Sequence, residues 1–180
     1  MKTPHKHADL IHAWADGAEI ESRAYGTFVK KGEMLGTMLV IATTAHAGQF
    51  DRGGAPYILH PLKVMHYIKS DDEELMCMAL GHDVIEDTSV TYKDLRDASI
   101  SERVITGIRA LTRQPGQTLD EYKAGVFASK DAMRVKMADL RHNIDIRRLK
   151  SVTEKDTARM AKYHLFYTEI KVCLAAEVIA

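Results

Sequence analysis

The apolar run Leu75-Met76-Cys77-Met78-Ala79-Leu80 leads through Gly81 straight into His82-Asp83-Val84-Ile85-Glu86-Asp87. This junction constrains the fold more than any other stretch. The apolar run has to be buried, and it draws the ionisable groups behind it toward the interior. Buried charges need partners or a metal ion. On a helix, positions i and i+4 share a face, so His82 and Glu86 point the same way, and Asp83 faces with Glu86 or Asp87. The plainer reading is a solvated helix end, or an acidic cap for the next helix. Other well-spaced His and Asp residues in the chain favour a built site.

The rest of the pattern is helical from residue 34 onward. Met34, Leu35, Met38, Leu39, Ile41 and Ala42 make a helix that is apolar nearly all round and therefore central. It ends at Ala45-His46-Ala47-Gly48-Gln49. A glycine-rich loop, Phe50 to Tyr57, precedes His60-Pro61, and Pro61 suits the first turn of a helix over Leu62 to Lys69. The next helix is expected over Asp71 to Asp83, capped by Ser70 or Asp71. Thr91 caps a short helix, Ser101 caps another, and Thr118-x-x-Glu121 is a capping box after the turn Gln114 to Gln117. Apolar spacing predicts helices over Met133 to Leu149 and Thr153 to Val178, the latter packing through Met160, Tyr163, Leu165, Phe166, Ile170 and Leu174. The expected fold is an all-α bundle. Residues 1–33 form an N-terminal extension that reads either as a hairpin at Asp16-Gly17 or as an amphipathic helix through Ile11 and Trp14. Residues 34–180 form the domain.

Composition narrows the function. The 25 basic and 25 acidic residues cancel to a net charge of +0. That balance gives no support to a nucleic-acid groove or to an anionic membrane surface. The apolar runs are too short and broken to span a bilayer. The first residues are not followed by a signal-peptide core. Cys77 and Cys173 lie in apolar helical contexts without a C-x-x-C pattern and read as reduced core residues of a cytoplasmic protein. Oligomeric state is not legible.

His46, His82, Asp83 and Asp139 are the candidate metal ligands. Two imidazoles and two carboxylates without a thiolate disfavour a structural zinc site and suit Mn²⁺, Fe²⁺, Mg²⁺ or Zn²⁺ in a hydrolytic role. Glu86 and Asp87 are placed to orient or deprotonate a water.

Four segments then carry a resemblance: Ala45-His46-Ala47-Gly48-Gln49, Gly54-Ala55-Pro56-Tyr57-Ile58-Leu59-His60-Pro61, Gly81 to Thr88, and Val135 to Asn143, with a weaker match at Ala110 to Arg113. In this order they resemble the HD-domain phosphohydrolases, and among them the hydrolase domain of the RelA/SpoT family and the small alarmone hydrolases. The resemblance implies a helical HD fold with Mn²⁺ on His46, His82, Asp83 and Asp139, and Glu86 and Asp87 serving the attacking water. The implied reaction removes pyrophosphate from the 3′ position of guanosine tetra- or pentaphosphate, giving GDP or GTP. Asn143 matches a residue that contacts the nucleotide sugar. Arg52 and Lys136 stand where basic residues lie near the phosphates, and Tyr57 and His60 match the loop and helix start beside the pocket. In plainer readings Tyr57 and His60 pack the loop, Lys136 faces solvent and Asn143 caps a turn.

Three positions depart from the family pattern. Asp51 stands where many members carry a basic residue that covers the guanine. Leu140 replaces an Arg after the metal Asp, and Ile146 stands where Thr is frequent. Base recognition therefore stays open between guanosine alarmones, adenosine alarmones and NADPH, and a non-catalytic nucleotide-binding module is the reading from a different class. In 180 residues the synthetase and regulatory domains of long members find no room.

Overall fold

The computed structural model describes residues 32–177. The hairpin and helix readings of the N-terminal extension fall outside these residues. Among the described residues the chain is helical, with one isolated bridge between Phe50 and Pro56 and no strand. The helices are α1 (Glu33–Ala45), α2 (Leu59–Ile68), α3 (Glu73–Gly81), α4 (Val84–Asp87), α5 (Tyr92–Asp97), α6 (Glu102–Leu111), α7 (Leu119–Phe127), α8 (Lys130–Asn143) and α9 (Glu154–Glu177). A 3₁₀ turn, Ile146–Arg148, links α8 to α9. No helix among the described residues is long and apolar enough to cross a membrane.

Local chemistry sets most boundaries. Thr91 and Thr118 form full capping boxes with Asp94 and Glu121, and Ser101 accepts from the Val104 N–H. Each satisfies backbone donors that a helix start leaves orphaned. Three boundaries differ from the pattern-based expectation, and each difference bears on the site. α2 starts at Leu59, so His60 lies inside its first turn and not in the preceding loop. α3 is capped by Asp72, whose carboxylate takes the Glu74 and Leu75 N–H groups, and it stops at Gly81. His82 and Asp83 thereby fall in the break between α3 and α4. α8 is capped by Ser129 and ends at Asn143, short of Leu149. There the Asp145 side chain takes the Arg147 N–H, an alternative to helical pairing that turns the chain into the 3₁₀ segment.

Helix α8 is the shared wall of two apolar clusters. Its Ala132, Val135 and Ala138 join the main core with Met38, Ile41, Val64, Leu75, Met78, Leu80 and Ile108. Its Met133 and Leu140 join a smaller cluster with Tyr122, Val126, Phe166 and Ile170. Leu165, expected in that packing, faces outward at 60% exposure. At Gly81 a Cβ would sit 2.8 Å from Ile108 Cδ1 and 3.0 Å from Met38 Sδ. Glycine thus lets the end of α3 press against α1 and α6 just before the ionisable junction. Cys77 is buried and Cys173 half-buried, both as free thiols, and burial together with nearby acids pushes the Cys77 thiol up to about 12.

Leu75 lies fully buried at the centre of the main core. Leu75→Ala is expected to cost about 2–5 kcal/mol of unfolding free energy, as large-to-small core changes do. Urea unfolding followed by circular dichroism measures it, and a loss under about 0.5 kcal/mol would contradict this packing.

Candidate metal centre

Three segments converge on one point. His60 comes from the first turn of α2, His82 and Asp83 from the break after α3, and Asp139 from the interior of α8. His60 Nε2 lies 3.1 Å from Asp139 Oδ1 and 3.5 Å from Asp83 Oδ2. His82 Nε2 lies 2.9 Å from Asp83 Oδ2, 3.7 Å from Asp139 Oδ1 and 3.3 Å from His60 Nε2. One donor atom from each of His60, His82 and Asp139 falls within 4.8 Å of the others, and all three residues are buried.

The opposite ring nitrogens fix how these imidazoles present themselves. His82 Nδ1–H donates to the Ala79 carbonyl at 2.8 Å. His60 Nδ1 is 2.7 Å from His142 Nδ1. Burial, and then Arg148 and His60, push His142 down to about 4, so it is neutral near pH 7. With His60 Nδ1–H donating to it, Nε2 of His60 keeps its lone pair for the centre. Metal-bound histidines are usually oriented by just such a bond from the second nitrogen. Two aligned imidazole nitrogens, two carboxylates and no thiolate fit a divalent metal ion.

His60, expected beside the pocket, is the second histidine of this group, and His46 is not one of the three residues that approach one another within 4.8 Å. His46 is the C-cap of α1. Its Nδ1 donates to Gln49 Oε1 at 2.8 Å, and Gln49 Nε2 donates in turn to the Asp87 carbonyl at 2.9 Å. Its ring neighbours Tyr57, with centroids 4.9 Å apart, and its Nε2 is buried without a hydrogen-bond partner. Gln49 holds the ring through Nδ1 and leaves the buried Nε2 of His46 with no partner among the described residues, beside the tyrosine that bonds Asp83. The sequence reading placed His60 with Tyr57 at the loop and helix start beside the pocket and left His142 and Gln49 without a role. The available signal was the need of a ligand histidine for a partner at its second nitrogen, and His142, one turn from Asp139, supplies it.

Electrostatics are set by mutual compensation. Burial works against the charge of His82, but Asp83 and Asp139 outweigh it and push the imidazole up to about 10. Burial likewise opposes ionisation of Asp139, and Lys136, His60 and His82 outweigh it, holding the carboxyl well below its usual range. Asp83 is lowered by His82 and His60 against the same burial penalty. Asp87 goes the other way. Burial and the neighbouring Asp83 raise it.

The remaining predicted residues take distinct places. Lys136 does not face solvent; its Nζ donates to Asp139 Oδ2 at 2.8 Å, and it lies 5.6 Å from the Tyr122 ring centre. The Asn143 amide donates to Asp139 Oδ1, and its oxygen accepts from Arg148 Nη1. The Tyr57 hydroxyl donates to Asp83 Oδ2 at 2.6 Å, so it orients that carboxylate. Glu86 accepts the Arg113 backbone N–H at 3.1 Å, which gives the weakly matching segment a structural reason. Arg52 is 72% exposed at the mouth, 4.0 Å from Asp156. Tyr57, Asp83, Glu86, Asp87, Lys136 and Asp139 all line one cleft of about 570 Å³. That volume is in the usual range for a small-molecule site.

The helical fold, with His60, His82 and Asp139 buried together and Asp83 beside them, has the form of an HD-type domain. No protein-family model matches the chain. By sequence it is a relative of the guanosine tetraphosphate pyrophosphohydrolases. It is 37% identical over 137 residues to the Haemophilus influenzae protein named guanosine-3′,5′-bis(diphosphate) 3′-pyrophosphohydrolase, covering 68% of this chain and 20% of that one. It is 34% identical to the Escherichia coli bifunctional (p)ppGpp synthase/hydrolase SpoT, covering 68% of this chain and 19% of that one. The chain thus spans about a fifth of the length of these relatives. The solved structure described as a metazoan ortholog of SpoT that hydrolyses ppGpp superposes with a TM-score of 0.64 at 20% identity, covering 82% of this chain and 88% of that one. At that identity the likeness speaks for the fold.

His82 makes the centre pH-dependent. A histidine raised from 6.5 to about 10 stabilises the metal-free fold fully below pH 6.5, and the contribution disappears as pH rises toward 10. Metal and proton compete for the same Nε2, so metal affinity rises across that interval. Melts of chelator-treated protein should fall from pH 6.5 to about 9, less so in His82→Asn, while the Mn²⁺ affinity of the wild type increases. A metal affinity independent of pH would contradict the assignment.

Proposed function

We propose that the protein is a Mn²⁺-dependent hydrolase that removes pyrophosphate from the 3′ position of guanosine tetra- or pentaphosphate. The observation that carries this reading is the convergence of His60, His82, Asp83 and Asp139, whose two carboxylates line the same cleft as Glu86 and Asp87. The names of the relatives at 34–37% identity supply the substrate class.

A divalent cation held by these four side chains supplies Lewis-acid polarisation of a phosphoryl oxygen and acidifies water beside it. The protein's own groups do the rest. Tyr57 and Lys136 fix the two ligand carboxylates, Asp83 and Asp139, through direct hydrogen bonds. Glu86 is anchored by the Arg113 backbone and exposes its carboxylate to the cleft, where it can orient a water and take its proton. Asp87, with a carboxyl raised by burial and by Asp83, is suited to hold a proton and return it to the leaving oxygen. Arg52 and Arg159 bring cationic groups to the same cleft for the phosphates.

Asp51, which left base recognition open, is not a free acid in the pocket. Its Oδ1 accepts the Gly53 and Ala55 N–H groups and its Oδ2 accepts from Arg148. That pairing supports the guanine reading, since the carboxylate is spent on protein partners.

The test is release of GDP and pyrophosphate from guanosine tetraphosphate by metal-stripped protein after Mn²⁺ is restored. Glu86→Ala should bind Mn²⁺ as the wild type does and lose about 10²-fold or more in turnover. Full turnover in Glu86→Ala would remove that residue from the mechanism. Turnover of NADPH or an adenosine alarmone in place of the guanosine compound would overturn the substrate.

A further inference from the structure

Across α8 from the metal centre lies a smaller cavity. Lys136, Asp139 and Asn143 share one face of this helix, while Arg134, Met137, Ala138 and Arg141 stand at i, i+3, i+4 and i+7 on the opposite one. These four line a groove of about 90 Å³ together with Tyr67 of α2 and Tyr167 of α9. The groove shares no lining residue with the cleft.

Its charge is one-sided. Two arginines line it and no acid does. Arg134 is half-buried and Arg141 exposed, and neither makes a hydrogen bond or an ion pair with a described residue. The Arg141 guanidinium carbon lies 4.1 Å from the centre of the Tyr67 ring, and Lys63 brings a second cation to 5.1 Å from the same ring. The Tyr67 and Tyr167 hydroxyls also have no hydrogen-bond partner among the described residues. Elsewhere the chain pairs most of its arginines with acids. Arg103 meets Asp72, Glu74 and Asp131, Arg96 meets Glu102, Arg147 meets Asp145, Arg148 meets Asp51 and Arg159 meets Asp156. Cations drawn partly out of water ordinarily need such partners. With 25 acidic residues against 25 basic ones, the chain as a whole is not short of them.

An oxyanion answers each of these features. It can accept two parallel bonds from a guanidinium, and it takes phenol hydroxyls as further donors. It also relieves the repulsion among Lys63, Arg134 and Arg141. A metal cation would add to that repulsion, and an apolar ligand would leave the donors unmet. We infer that this groove is a binding site for a phosphate-type oxyanion, either free phosphate or the phosphoryl group of a small metabolite, held by Arg134 and Arg141 and flanked by Tyr67 and Tyr167. The inference does not depend on what the cleft hydrolyses.

Amide NMR of the full chain in Mg²⁺, titrated with inorganic phosphate and separately with glycerol 3-phosphate, tests this. Saturable shifts should appear at Tyr67, Arg134, Arg141 and Tyr167, and the site-by-site readout separates them from any at Glu86 and Asp87 in the cleft. Arg134→Gln and Arg141→Gln should each weaken the groove response about tenfold, as loss of a charge-assisted hydrogen bond does, and leave any cleft response within about twofold. Tighter binding of the ester would assign the groove to a phosphorylated metabolite, and equal or tighter binding of inorganic phosphate would assign it to the free ion. Three results would overturn the site: no shift in the groove, shifts that grow linearly without saturating, the mark of an adventitious ion only, or an unchanged groove response in both glutamine variants.

Discussion

The structure depends on a carboxylate that has no business being buried. Asp139 is 3% exposed in the middle of α8, the helix that both apolar clusters use as a wall. Removing a charge from water costs several kcal/mol even after relaxation. Lys136, His60, His82 and Asn143 all reach toward it, and each is brought there by a different constraint on the backbone. Such buried ionic clusters are weak sources of stability, and a well-packed apolar replacement is often neutral or better. Strongly perturbed groups gathered in a cleft are instead a mark of function. The fold is arranged to bring these donors to one point, and the apolar clusters on either side of α8 keep them there.

Around that point the supporting contacts are as specific as the ligands. His142 holds His60, the Ala79 carbonyl holds His82, and Tyr57 holds Asp83. The cleft above is shaped by a second set of contacts, the Asp51–Arg148–Asn143 chain, which ties the glycine-rich loop to the end of α8. Asn143 belongs to both sets, since its amide meets Asp139 while its oxygen meets Arg148. Floor and wall of the cleft are therefore mechanically joined through one residue.

The sequence reading succeeded where chemistry is local. Thr91, Ser101 and Thr118 announce their helices through short-range hydrogen bonds, and each cap is present. His82, Asp83 and Asp139 were legible because a charge next to an apolar run needs an explanation. The place of His60 in the cluster was not legible, for a physical reason. The residue before a proline is disfavoured in a helix, so His60 reads as loop. Here Leu59 and His60 are helical despite Pro61, and burial carries the imidazole to the centre. Tertiary packing overrode a local rule, and no spacing within α2 announces it. The partners of Asp51 were out of reach in the same way. Its charge suggested conflict with a base, yet its partner Arg148 lies 97 positions away in the chain, a pairing no local pattern can reveal.

The central claim is that His60, His82, Asp83 and Asp139 together hold one divalent ion. The most direct measurement is a crystal of the protein grown with Mn²⁺ and recorded for anomalous scattering near the manganese edge. The account predicts a single strong peak between Nε2 of His60 and Nε2 of His82, at about 2.0–2.3 Å from the imidazole nitrogens and the two carboxylates, with His46 still bonded to Gln49. A peak bonded to His46 instead of His60, or no ordered ion at saturating Mn²⁺, would contradict it.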